Sequence, residues 1–186
     1  FMLAVTYLGD EIAFLVTALI LIWCADKRTG YYVLSVGFLG TIANQFMKLW
    51  FRIPRPWVLD ENFTILEQAR EGASGYSFPS GHSQNAVCTF GSLACITKDR
   101  WVKWVSIAIA VLVPFSRMYV GVHTPADVLV GSAMALVLVF GLVPATAFAA
   151  AEPIRLTVWA GFDEMDWLNR QLEAFEAANP QWDITW

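Results

Sequence analysis

Five apolar segments, at residues 12–25, 31–51, 81–97, 101–120 and 125–143, recur along a chain of 186 residues, and most are joined by short polar links. A helix that crosses a bilayer needs about 20 predominantly apolar residues, somewhat fewer where neighbours shelter its ends. Composition agrees: 57% of residues are hydrophobic and 15% charged, with a mean hydropathy of +0.52, whereas an ordinary soluble domain is about a quarter charged. The expected fold is therefore all-α, a polytopic transmembrane helical bundle of about five spans. The first span is short and has a further apolar stretch, 1–9, before it.

Charge divides the chain near residue 144. Residues 1–144 carry ten Lys/Arg and nine Asp/Glu, a balance of +1, while residues 145–186 carry two and seven, a balance of −5. No basic stripe with interleaved aromatics suggests nucleic acid. Cys24, Cys88 and Cys95 are odd in number, lack a CxxC pair and lie in apolar segments. They indicate neither a disulfide framework nor a zinc site and read as small buried hydrophobes. Gly37, Gly40, Gly91 and Gly131 read as helix-packing contacts.

The links have a sidedness. Asp26-Lys27-Arg28-Thr29-Gly30 and Thr97-Lys98-Asp99-Arg100 share one membrane face if each segment crosses once. Lys27, Arg28, Lys98, Arg100 and Lys103 gather there, and the positive-inside rule then makes that face cytoplasmic, given that the equally numerous cations of the other face, Lys48, Arg52, Arg55, Arg70 and Arg117, have another task. The other face receives the long loop 52–80 and the turn near 118–124. Loops of that length are functional or disordered; an amphipathic stretch at 64–71 reads equally as a helix covering a site or as a plain surface helix.

Polar and ionisable groups near or inside spanning segments are costly, so each is a site candidate. On the second face these are Lys48, Arg55, Ser80, His82, Ser116, Arg117, His123 and Asp127, and they include both histidines of the chain. Three cations without an acidic cluster make an anion site with a phosphate-like demand for charge. Ser80 is placed as the N-cap of a helix whose first N–H groups, from Gly81 onward, would cradle a phosphate. His123 and Asp127, spaced i, i+4, would share a helical face, the carboxylate fixing one ring nitrogen and leaving the other as a nucleophile. His82 would then protonate the leaving oxygen. The cations carry the transition-state charge, so the step requires neither metal nor cofactor. Taken singly these groups have plainer readings: Lys48, Arg52 and Arg55 as snorkelling interfacial cations, His82 as a capping residue, and His123–Asp127 as a structural hydrogen bond. Their coincidence on one face from three stretches favours a site.

Lys-x6-Arg-Pro at 48–56, Pro-Ser-Gly-His at 79–82 and Ser-Arg-x5-His-x3-Asp at 116–127 resemble, in order and spacing, the three-part signature of the type-2 phosphatidic acid phosphatase family. The resemblance covers about residues 1–143. It implies a membrane-embedded, helical phosphatase of lipid phosphates or diphosphates, metal-independent, with a phosphohistidine intermediate. By position, Lys48, Arg55 and Arg117 bind phosphoryl oxygens, Ser80 and Gly81 add donors, His82 is the acid, His123 the nucleophile and Asp127 its orienter. Arg52 matches no signature position. Such members have six spanning helices, so an N-terminal helix is expected to be missing from a chain that begins at Phe1 in apolar sequence. The implied setting is a bacterial plasma membrane, with the site at the extracytoplasmic face and membrane lipids and a lipid phosphate as partners. An acid phosphatase-like or vanadate-haloperoxidase-like enzyme shares such a pocket, but the uninterrupted apolar spans argue against it.

Residues 144–186 differ. An apolar run ending in Ala147-Phe148-Ala149 resembles a signal peptide with its cleavage site. It precedes a strand at 154–160, a helix at 164–180 and a strand at 182–186. This short α/β-like tail is similar to the N-terminus of an extracellular solute-binding protein of sugar transporters. The fifth span would end in the cytoplasm, whereas a signal peptide sends the chain beyond it out of the cell, so the junction reads as chimeric. A tail of this size is too small to bury a core, and no binding function is expected of it. A solute-binding or transport-associated membrane protein without catalysis would take its identity from this tail.

Overall fold

The structure is a computed structural model and describes residues 1–60, 62–70, 72–149, 154–157, 165–179 and 182–185. It divides into two units, Phe1–Leu142 and Val143–Trp186.

The first unit is helical. Helix α1 (Met2–Thr6) runs into a 3₁₀ turn (Tyr7–Gly9), and α2 (Glu11–Ile20) ends in a π-helical turn (Leu21–Ala25). Next come α3 (Lys27–Phe51), the single turns α4 (Pro56–Leu59) and α5 (Glu67–Arg70), and α6 (Gly81–Ala86), which passes through a π-helical turn (Val87–Gly91) into α7 (Ser92–Ile96). Helix α8 (Arg100–Tyr119) follows, and the part of α9 (Pro125–Ala149) up to Leu142 completes the unit. The starts of three long elements are set by aspartates. Asp10 accepts from the Ile12 N–H at 3.0 Å, Asp26 from Thr29 at 2.8 Å and Asp99 from Trp101 at 2.8 Å. Each satisfies an orphan first-turn donor and places negative charge at the positive end of the helix dipole.

Two helices, Arg100–Tyr119 and Pro125–Leu142, are long and apolar enough to cross a membrane among the described residues. Met2–Gly9 and Glu11–Ala25 add a third if counted as one span bent by 61°. This is fewer than the five expected. Helix α3 has the length but is diluted by Thr41, Asn44, Gln45 and Lys48, and 81–96 is short and opens on polar residues. Helix α3 also starts at Lys27, so most of the link 26–30 is helical. The apolar surface nonetheless suits lipid: Phe46, Leu129, Val137 and Phe140 are exposed, and Trp23, Trp50, Trp101 and Tyr119 lie exposed near helix ends, as in an interfacial aromatic belt. The protein is an integral membrane protein.

Helix α3 packs against α2, α6 and α7, and α8 packs against α1, α6 and α7. Val5, Ala86 and Val113 form the junction between α1, α6 and α8. Small residues permit close approach: a Cβ at Gly37 would strike the Phe14 ring, and one at Gly131 would lie 2.6 Å from the Ser80 carbonyl oxygen. Gly91 does not serve this purpose, because a Cβ there would find its nearest atom at 3.7 Å. Of the cysteines only Cys88 is buried; Cys24 and Cys95 are exposed, because their helix faces look outward.

The loop 52–80 is held down rather than formed into the helix expected at 64–71, of which only the turn α5 is present. Ala69 and Ala73 pack on Val120 and Val122, and the Leu66 N–H donates to the Val120 carbonyl at 3.1 Å. Gly121, at φ +80°, lets the α8–α9 turn press against the Thr64 carbonyl, where any side chain would be strained and blocked.

In the second unit β1 (Ile154–Thr157) pairs in parallel with β2 (Trp182–Thr185), Ile154 opposite Trp182, and α10 (Met165–Ala178) lies between them in sequence. Helix α9 ends at Ala149. The residues that follow it in the junction, 150–153, lie outside those described.

The Tyr32 hydroxyl, buried in α3, donates to the Val139 carbonyl of α9 at 2.6 Å. Tyr32→Phe should lower stability by about 1 kcal/mol, read as a fall in the thermal unfolding midpoint in detergent.

Candidate functional site

The turn His123-Thr124-Pro125-Ala126-Asp127 builds the centre of the site by capping α9. The Thr124 N–H donates to Asp127 Oδ2 at 2.8 Å, and the Asp127 N–H donates to Thr124 Oγ1 at 3.3 Å. This reciprocal capping box, with Pro125 at the first helical position, fixes the carboxylate at the helix start. His123 therefore lies just outside the helix. Its pairing with Asp127 comes from the cap and not from a shared helical face, which corrects the sequence-based expectation.

His123 Nδ1 lies 3.3 Å from Asp127 Oδ2, and Nε2 lies 3.0 Å from Arg55 Nη1. Guanidinium only donates and carboxylate only accepts, so the ring carries its proton on Nδ1 and its lone pair on Nε2. Ser77, which sequence reasoning missed, donates to the same Asp127 oxygen at 2.6 Å. His123, Asp127 and Ser77 are all buried, with exposures of 3%, 3% and 1%. Burial pushes His123 down from its ordinary 6.5 to about 4. The hydrogen bond to Asp127 opposes this, and Arg55 and Arg117 add to it.

Arg55, which precedes α4, is buried and pinned by backbone carbonyls. Nε donates to Gly75 at 3.1 Å, Nη2 to Ser74 at 2.9 Å and Nη1 to Val122 at 3.2 Å. The long loop thus supplies acceptors that aim a guanidinium at His123. Arg117, in the last turn of α8, is buried and donates from Nη1 to Thr6 Oγ1 at 2.7 Å. Lys48 lies in the last turn of α3, and a Cβ on Gly81 would point to within 3.8 Å of its Nζ. A side chain at 81 would intrude on the space in front of that ammonium.

These groups surround one cavity of about 590 Å³, lined by Lys48, Arg55, Gly81, His82, Arg117 and His123 among others. Asp127 stands behind His123. Ser80 caps α6 as expected, but its hydroxyl is fully buried and accepts from the Ser83 hydroxyl at 2.9 Å, so it is not among the lining groups. Ser116 is likewise buried and donates to the Val113 carbonyl at 2.6 Å. Arg52 is exposed at the left-handed C-cap of α3, bonds the Leu49 carbonyl and is not among the lining groups. Asp10, Glu11, Asn44 and Asn85 line the cavity without having been singled out in the sequence. Asp10 had a signal: it interrupts the apolar run before the first span, at the end that the helix count assigns to the second face.

Because the unfolded chain titrates His123 near 6.5 and the folded chain near 4, the unfolded state binds the extra proton between those values. Stability should fall as pH drops from 6.5 toward 4 and then level in this contribution. Denaturation midpoints in detergent across that window, compared with His123→Gln, check this: the variant should lose that part of the slope.

The arrangement agrees with independent likenesses. A model of the PAP2 superfamily matches residues 28–150. The chain is 31% identical over 136 residues to the undecaprenyl-diphosphatase BcrC of Bacillus subtilis, covering 70% of this chain and 67% of that protein. It is 32% identical over 153 residues to phosphatidylglycerophosphatase B of the same organism, covering 75% and 70%. The crystal structure of a transmembrane PAP2 type phosphatidylglycerolphosphate phosphatase from Bacillus subtilis superposes with a TM-score of 0.65 at 31% identity, covering 80% of this chain and 75% of that one. With three signature stretches around one cavity and a family match over more than half its length, the chain belongs to the PAP2 superfamily, the type-2 phosphatidic acid phosphatase family.

Proposed function

We propose that this protein hydrolyses a lipid phosphate or diphosphate at the membrane by two displacements on phosphorus through His123. The observation that carries the reading is the hydrogen-bond chain Ser77–Asp127–His123–Arg55. It leaves the Nε2 lone pair of a neutral imidazole facing a cavity that also holds Lys48 and Arg117. Relatives named as undecaprenyl-diphosphatase and phosphatidylglycerophosphatase support the substrate class.

In the first displacement Nε2 attacks phosphorus as the bond to the leaving oxygen breaks. His82, which lines the cavity, gives its proton to that oxygen. Arg55 turns its Nη1 from Nε2 to a phosphoryl oxygen, and Lys48 and Arg117 take up the remaining charge. Asp127 stabilises the imidazolium that forms when Nε2 becomes bonded to phosphorus. In the second displacement His82, now neutral, takes a proton from water, which attacks phosphorus and releases inorganic phosphate from His123. Gly81 keeps the space before Lys48 open. The cations supply the positive charge, so no step needs a metal. The site faces the extracytoplasmic side of a bacterial plasma membrane, since Lys27, Arg28, Lys98, Arg100 and Lys103 gather at the opposite helix ends.

Phosphate release from undecaprenyl diphosphate, phosphatidate and phosphatidylglycerophosphate in detergent tests the reading. His123→Ala should lower kcat by at least about 10³-fold on every substrate used, and His82→Ala by about 10²- to 10⁴-fold. Activity should persist in EDTA. Full activity of His123→Ala would remove the nucleophile from this account.

A further inference from the structure

We propose that Asp10 is a positioning residue for the leaving-group acid, holding the charged ring of His82 in the cavity from the break between α1 and α2. The inference rests on His82 being that acid.

The stretch Thr6–Asp10 meets the site at three points. Thr6 Oγ1 accepts from the Arg117 guanidinium at 2.7 Å. Gly9 lies against the backbone of His82, where a Cβ would be 2.6 Å from the His82 carbonyl oxygen and 2.7 Å from Val113 Cγ1. Asp10 Oδ2 lies 3.8 Å from His82 Nε2, and Asp10 lines the same cavity. The helix bends by 61° here. Asp10 adopts an extended conformation at φ −70° and ψ 154° and caps α2 through Oδ1. One carboxylate oxygen therefore starts α2 while the other faces His82.

The charges around His82 give this contact its purpose. Lys48 comes from α3, Arg55 from the loop, Arg117 from α8, and the His123 ring from the α8–α9 turn; among the described residues the acids lining the cavity are Asp10 and Glu11 from the α2 end. Three cations suit an anionic substrate but oppose the protonated imidazole that a leaving-group acid must be. A carboxylate near Nε2 offsets them. At 3.8 Å the pair exceeds hydrogen-bond length, so Asp10 stabilises the charged ring without holding its N–H. That proton remains available to the leaving oxygen.

Asp10→Asn tests this, because its amide oxygen keeps the cap on Ile12 while the charge is lost; Asp10→Ser, also a capping residue, repeats the test if the first variant folds poorly. The variants, with His82→Ala alongside, are compared on phosphatidate, which releases a poor alkoxide, and p-nitrophenyl phosphate, which releases a stable phenolate. His82→Ala should lose far more kcat/KM on phosphatidate. Asp10→Asn should follow it in miniature, losing about tenfold on phosphatidate and about threefold or less on p-nitrophenyl phosphate, with Asp10→Glu recovering most of the difference. A purely structural role would lower both substrates alike. If His82→Ala discriminates between the substrates and Asp10→Asn and Asp10→Ser do not, the inference about Asp10 is wrong while the role of His82 stands. If His82→Ala does not discriminate, His82 is not the leaving-group acid and both fall.

Discussion

Three donors converge on one oxygen in this protein. The Ser77 hydroxyl at 2.6 Å, the Thr124 N–H at 2.8 Å and His123 Nδ1 at 3.3 Å all address Oδ2 of Asp127. The Asp127 backbone carbonyl accepts from the Ser80 N–H at 2.9 Å. Four pieces of chain are thereby tied to one residue: the end of the long loop, the cap of α6, the α8–α9 turn and the start of α9. The carboxylate is almost fully buried, a cost that is bearable because Oδ2 accepts from three donors and the group sits at the positive end of a helix. The interactions that set the orientation of His123 are thus the ones that start α9, and the site does not form independently of the fold.

Around that anchor the chain places three cations, none of which makes a direct ion pair with a carboxylate among the described residues. Arg55 is held by three backbone carbonyls and a histidine nitrogen, and Arg117 by a threonine hydroxyl. Neutral acceptors orient guanidinium groups without cancelling their charge, which leaves the field available to an anion. The long loop 52–80 consequently has a structural task as well: the carbonyls of Ser74 and Gly75 aim Arg55, and Ser77 braces Asp127. Its apolar residues against Val120 and Val122 hold those acceptors in place.

The helical class and the three signature stretches were legible in the sequence because both depend on local regularities: apolar length, and polar groups where lipid would forbid them. The span count was less so, since α3 is long enough to cross yet carries Asn44 and Lys48 on a face that turns to the cavity. Neither was the route by which His123 meets Asp127. Spacing of i, i+4 suggested a helix face, but Pro125 opens the helix two residues later and the cap makes the contact. Ser77 left no mark, because a lone serine near a proline is ordinary in a loop and its partner is 50 residues away. Ser80 was legible as a cap, and that very role turns its hydroxyl toward Ser83. Thr6 and Asp10 belong to the site through a bend between two short helices, a tertiary feature that periodicity does not carry.

The central claim is that the phosphoryl group passes through His123 and is displaced twice. The stereochemistry at phosphorus tests it without altering the protein. A phosphorothioate monoester made chiral at phosphorus with two oxygen isotopes and hydrolysed in water of the third, or a phosphomonoester chiral in three oxygen isotopes and transferred to an alcohol acceptor, should give a product of retained configuration, because two in-line displacements each invert the centre. Net inversion would mean that water attacks the substrate directly and would contradict the account.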